Sequence, residues 1–130
     1  MNFKRQYIIF FVSNVFVVLL LSVFVVNRVN AGDSIKVPED FKSINEAIAA
    51  ASRFDTVIVA SGFYEENLFI TQPVNIVAME QAKLIAKEDK PAVTITTTHN
   101  VKIEGLEIIG GREGIFITNS SGVTVLRNKI

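Results

Sequence analysis

Cysteine is absent from the 130 residues. That excludes disulfides, thiol catalysis and cysteine metal sites, and it leaves packing alone to stabilise the fold. There is a single histidine, His99, and only two methionines, Met1 and Met79. Copper, which favours clustered His or Met ligands, therefore has no site. No Ser/His/Asp arrangement with nucleophile, base and orienting partner assembles around His99. An excess of either charge sign is also missing, with 13 basic and 13 acidic residues. Residues 1–31 hold Lys4, Arg5 and Arg28 and no acid, so the remainder has ten basic and thirteen acidic residues. No basic stripe runs along it, which argues against a nucleic-acid partner.

One long hydrophobic run is present, at the beginning. Lys4 and Arg5 precede Ile8–Val26, which is apolar except for Ser13, Asn14 and Ser22, and a polar stretch then closes on Val29-Asn30-Ala31. This is the layout of an export signal over residues 1–31, with a cleavage site behind the small residue. The alternative is an uncleaved anchor. Nineteen residues rising about 1.5 Å each nearly cross a bilayer core of roughly 30 Å, so residues 8–26 are the only membrane contact expected. No amphipathic stripe separates the faces of this run, as a buried soluble helix would require. Either reading places residues 32–130, one domain, outside the cytoplasm.

The most regular part of that domain repeats itself. Displaced by 22 positions, Ala92-Val93-Thr94-Ile95-Thr96 falls on Gly114-Ile115-Phe116-Ile117-Thr118. In the same register Val101, Ile103 and Ile108 fall on Val123, Val125 and Ile130, with no gap. Short alternating strands at a fixed period of this length indicate a stacked solenoid. In a parallel stack the equivalent residue lies about 4.8 Å above. The repeat therefore predicts inward aliphatic columns, Val93 under Ile115, Ile95 under Ile117 and Ile103 under Val125, with Thr96 under Thr118 outside. Gly105, Gly110, Gly111 and Gly114 are expected where the backbone turns. Leu106 gives way to Asn128 one coil on, a position from which an amide can hydrogen-bond the turn backbone or contact a ligand.

Upstream, Ser43 followed by Glu46 is a capping-box pattern, and Ile44, Ala47, Ile48 and Ala51 share one helical face. The spacing predicts a helix from Ser43 to about Ser52, laid over the first open end of the stack. Asp55–Ala60 is β-branched and reads as a buried strand. Ser61-Gly62 breaks it, Phe63–Asn67 reads as a connecting loop, and Leu68-Phe69-Ile70 as the next strand. Pro73–Val77 and Ala82–Ile85 supply two further short strands, and Glu88-Asp89-Lys90-Pro91 a charged excursion.

Taken together, the Ala/Ile-faced helix of Phe41–Ala51, the strand Asp55-Thr56-Val57-Ile58-Val59 and the segment Gly62-Phe63-Tyr64-Glu65-Glu66-Asn67 resemble the opening of pectin-lyase-like right-handed parallel β-helix proteins. That superfamily includes pectin methylesterases, many polysaccharide lyases and the NosD-type periplasmic proteins. A helix, a "D-T-V" strand and "G-x-Y-x-E" form their similar first module. Phe54 departs from it, since glycine is usual before the aspartate, and a different helix-to-strand turn is expected. The resemblance implies an all-β solenoid, a right-handed single-stranded parallel β-helix with an N-terminal capping α-helix. It does not separate enzymes from non-enzymes.

Chemistry is sparse. Glu65 and Glu66 are adjacent and diverge, one of them having a structural role in the "Y-x-E" pattern. Glu104 and Glu107 are expected outside one coil, and Leu126 and Lys129 replace them on the next, so no acidic ladder forms. Arg127 and Lys129 read as solvated outward charges. A lyase would need acids for calcium beside a basic residue, and glycoside hydrolysis would need a carboxylate pair. The sequence assigns no catalytic, cofactor-binding or metal-ligating residue and no cofactor. Because the repeat breaks off at Ile130 in mid-strand, with no polar last coil, the sequence reads as a fragment truncated at its C-terminus. Further coils or self-association would then cover that edge. Two functions fit: an exported, carbohydrate-associated scaffold or binding protein that contacts polysaccharide, or the N-terminal part of a polysaccharide-active enzyme (lyase, glycoside hydrolase or pectin esterase) whose site lies beyond residue 130.

Overall fold

The computed structural model describes residues 32–130. The export signal or anchor expected over residues 1–31 lies outside them. Eleven strands and one helix follow in order: β1 (Ser34–Val37), α1 (Ile44–Ala50), β2 (Thr56–Val59), β3 (Gly62–Tyr64), β4 (Leu68–Ile70), β5 (Asn75–Ala78), β6 (Ala82–Ala86), β7 (Val93–Thr96), β8 (Lys102–Glu104), β9 (Glu107–Gly110), β10 (Ile115–Thr118) and β11 (Thr124–Leu126). They wind into a parallel β-solenoid of about four turns. One sheet runs β1-β2-β5-β8-β11, a second β3-β6-β9 and a third β4-β7-β10. The three coils β2–β4, β5–β7 and β8–β10 each contribute a strand to every sheet in turn, and all pairings are parallel.

Alternation along each short strand sorts the side chains. Val57 and Val59 of β2, Leu84 of β6, Val93 and Ile95 of β7 and Ile103 of β8 are fully buried. The columns stack as the repeat predicts: Val93 pairs with Ile115, Ile95 with Ile117 and Ile103 with Val125. Thr96 lies in register with Thr118 on the outside, although its hydroxyl meets that of Thr97 at 3.3 Å. Burying each aliphatic side chain is worth about 1.5–3 kcal/mol relative to exposure.

Helix α1 takes the place of strands in the first turn. Its N-cap is Ser43, and the capping box is complete: the Ser43 hydroxyl accepts from the Glu46 amide and Glu46 accepts from the Ser43 amide. Ile44, Ala47, Ile48 and Ala51 are buried as one face, packed toward β1, β2 and β4. At seven residues the helix is too short to persist alone, and the coil beneath it caps both of its ends. The Glu66 carboxylate accepts from the amides of Ile44 at 2.8 Å and Asn45 at 3.0 Å. At the other end the Gln72 amide donates to the carbonyls of Ile48 and Ala51.

One local expectation is corrected. Gly62-Phe63-Tyr64 is not loop but strand β3, paired with Ala82-Lys83-Leu84; Gly62 begins it with φ of 152°. Tyr64 is anchored there by donating its hydroxyl to the Ala60 carbonyl at 2.9 Å. Gly114 lies in a bend, as expected, and leaves room for Ile130, whose Cγ2 would lie 2.5 Å from an added Cβ. Gly105 does turn the chain, at φ 81°, and a Cβ there would meet the Ala78 carbonyl at 2.7 Å.

At the turn between α1 and β2, Phe54 is left-handed, with φ of 71°, a region that glycine enters without strain. Its amide still donates to the Pro73 carbonyl at 2.8 Å, and Asp55 organises the corner by accepting from the amides of Asp33 and Ser52. A bulky residue pays about 1–2 kcal/mol for this conformation. Part of that is offset by the contact of Arg53 with its ring. Phe54→Gly is expected to stabilise the domain by about 0.5–1 kcal/mol after the entropy of the more flexible unfolded chain is counted. A rise in the urea midpoint checks this; a fall would mean that the ring, which is 46% exposed, contributes more than the backbone loses.

Candidate functional site

Outward-facing residues of the β3-β6-β9 sheet form a mixed ladder. Phe63 is in register with Lys83, Lys83 with Glu107, and Glu107 with Lys129. Successive rungs are about 4.8 Å apart because each belongs to the next coil. Lys83 Nζ lies 5.9 Å from the centroid of the Phe63 ring and 3.3 Å from Glu107 Oε2. Lys129 Nζ meets the other carboxylate oxygen at 2.8 Å. Beside the ladder is an open groove of about 600 Å³ lined by Ser61, Gly62, Phe63, Gln81, Lys83 and Glu107.

The electrostatics define what this groove can do. Hydrogen bonds from Lys129 first, and then from Lys83, hold the Glu107 carboxyl below its usual range, and the same contact raises Lys129. Glu107 is therefore an ionised acceptor. A general acid for glycoside cleavage needs the opposite shift and a second carboxylate across the bond, and among the described residues Glu107 is the one carboxylate lining the groove. An aromatic face, an amide, a hydroxyl, a cation and an anion side by side suit binding of a neutral hydroxylated ligand. A second aromatic surface stands on the β4-β7-β10 sheet, where Phe69, Thr94 and Phe116 are in register. Phe69 and Phe116 are both exposed.

Other residues singled out by the sequence have structural duties. Of the two adjacent acids, Glu66 caps α1, whereas Glu65 is exposed. Asn128 spends its side chain on the coil below, accepting from the Leu106 amide and donating to the Ile103 carbonyl, both at 2.9 Å. His99 pairs with Ser121 of the next coil. Its Nε2 lies 3.0 Å from the Arg53 guanidinium; since arginine can only donate, Nε2 accepts there. Among the described residues no three His, Cys, Asp or Glu side chains are grouped to hold a metal. Nor is any described helix long and apolar enough to cross a membrane.

The outward charges of these coils pair with one another. Glu104 points outward from β8 yet is buried, because Lys102 and Arg127 both form ion pairs with it. Arg127 and Lys129 are exposed outward charges, as expected, and each also ties its coil to the one below. Lys102 and Glu104, two apart on one strand, share a face, and that was the available signal. Asn45 and Asn67 were also missed as ties. Asn45 donates to Glu66 and to the Asn67 carbonyl and accepts from the Phe69 amide. Asn67 accepts from the Lys87 amide and donates to the Pro91 carbonyl.

Compared with known proteins, the chain is 34% identical over 92 residues to a cell surface glycoprotein of Methanothermus fervidus, a match covering 69% of this chain and 16% of the glycoprotein. No protein-family model matches it, and no solved structure does. The chain is a β-solenoid partly similar to a cell surface glycoprotein.

Proposed function

We propose that this chain is an exported, carbohydrate-associated scaffold of the cell surface and not an enzyme. The observation that carries the reading is the match to a cell surface glycoprotein over most of the solenoid. The signal-like pattern of residues 1–31 supports it independently. So does the similarity of Phe41–Asn67 to the opening of pectin-lyase-like β-helices, an architecture built to present long outer faces. On those faces Phe63 is 72% exposed and Phe69 58%. Rings this open are suited to stacking on sugar rings, with Gln81, Lys83 and Glu107 as polar partners. The groove supplies binding groups but no raised-pKa acid, which favours retention of a polysaccharide over its cleavage.

Cell fractionation tests the reading. The full chain is expected in the envelope or medium, to be degraded by protease added to intact cells, and to be retained on polysaccharide without turnover. Recovery in the cytosol, protected from protease, would refute it, as would release of reducing sugar by the purified chain.

A further inference from the structure

Asn119-Ser120-Ser121, in the turn between β10 and β11, has the asparagine, the intervening non-proline residue and the hydroxyl that define an N-glycosylation acceptor. The turn presents these three residues in a usable way. Asn119 and Ser121 are exposed, while Ser120 between them is half-buried. The Ser120 hydroxyl donates to the Thr118 carbonyl at 2.8 Å and accepts from the Thr98 amide at 3.3 Å. With the middle side chain spent on the backbone, the two residues that a glycosyltransferase must read are left outside.

The competing explanation is conformational, since Asn119 is left-handed at φ 47° and asparagine tolerates that region. One coil earlier, Thr97 occupies the equivalent position at φ 52°. The turn therefore does not require asparagine. Likewise His99 stands where Ser121 stands one coil on. Passing from one coil to the next, Thr-Thr-His becomes Asn-Ser-Ser, and both groups of the acceptor arrive together at a turn whose backbone is unchanged.

We propose that Asn119 is a glycan attachment site. This rests on the surface reading above, because the donor and its transferase face the exterior side of a membrane. In the transfer, the Asn119 carboxamide nitrogen attacks the anomeric carbon of a saccharide carried on a lipid phosphate. A nitrogen–carbon bond forms, the carbon–oxygen bond to phosphate breaks, and the phosphate leaves with its electron pair. One amide proton passes to a base of the transferase, and nothing is oxidised or reduced. The bulky, hydrated group would stand beside the β4-β7-β10 face and shield its exposed Phe116 edge.

Trypsin cutting after Arg112 and Arg127 releases residues 113–127, in which Asn119 is the only asparagine. From full chain made in its own cells, this peptide is expected to carry added saccharide mass, located on Asn119 by fragmentation. Asn119→Gln and Ser121→Ala should lose the mass, and Ser121→Thr should keep it. The wild-type peptide carries the main result, so a variant that fails to fold does not remove the test. Unmodified peptide on chain recovered from the envelope overturns the proposal while leaving the surface reading intact. Unmodified peptide on cytosolic chain overturns both. Mass that persists in Ser121→Ala overturns the acceptor assignment.

Discussion

Ile76→Ala should lower the unfolding free energy by about 3–4 kcal/mol, in the upper part of the range for buried Ile or Leu truncations. Ile76 is fully buried in the middle of the five-stranded sheet, stacked between Val57 of the coil before and Ile103 of the coil after. The coils are held about 4.8 Å apart by their ladder hydrogen bonds. They cannot close on a missing side chain without breaking backbone pairings, so the cavity remains and its full cost is felt. Val125→Ala tests the same column at its last rung. Val125 pairs with Ile103 on one side and is already 44% exposed, so its loss should cost about 1 kcal/mol or less. Urea unfolding of the two variants measures the contrast. Equal losses would mean that the stack does not carry its stability in the inward columns.

That contrast bears on why one part of the solenoid could be read from sequence and the other could not. From β7 onward the coils keep one length: Val93 pairs with Ile115 and Lys102 with Thr124, each 22 residues on. Self-comparison at a fixed offset then reveals every column. Earlier coils vary in their turns. Thr56 pairs with Asn75, 19 residues on, and Asn75 with Lys102, 27 residues on. No single offset aligns them, and their pairing had to come from the structure. Strand β3 was hidden because it opens on Gly62, which reads as a break, and contains no β-branched residue. The helix with its capping box was legible because it depends on local chemistry, and the fold class because of the repeat and the resemblance; the structural role of one acid in Tyr64-Glu65-Glu66 came from the resemblance alone, since Glu66 acts on Ile44 and Asn45, far back in the chain. The Phe63–Lys83–Glu107–Lys129 ladder joins residues of four coils at unequal spacings, so its composition left no mark along the chain. Glu104 shows the same limit. Period two correctly sends it outward, but whether an outward acid is solvated depends on Arg127, which reaches it from the next coil.

Glu66→Ala is expected to cost about 2–3 kcal/mol, more than an ordinary N-cap substitution, because the one carboxylate serves several donors at once. It accepts from the amides of Ile44 and Asn45 and, through Oε2, from the Asn45 side chain. Hydrogen bonds to a charged group contribute about 1.5–3 kcal/mol each when both partners are shielded, and the half-buried position of Glu66 discounts their sum. Removing it leaves helix amides without partners at the positive end of the helix. The damage should spread, since Asn45 also holds the Phe69 amide of β4. Glu65→Ala changes an exposed neighbour and should stay within about 0.5 kcal/mol. Glu66→Gln retains the shape and an acceptor but not the charge, and should fall between them, at about 1–2 kcal/mol. With about 4–8 °C expected per kcal/mol for a domain of this size, thermal unfolding followed by circular dichroism separates the three variants. If Glu65 and Glu66 proved equally dispensable, α1 would be held by its apolar face alone. The spacing of capping acid and helix would then have no energetic meaning in this chain; if Glu66 dominates, the helix that covers the first turn depends on an acid contributed by the next.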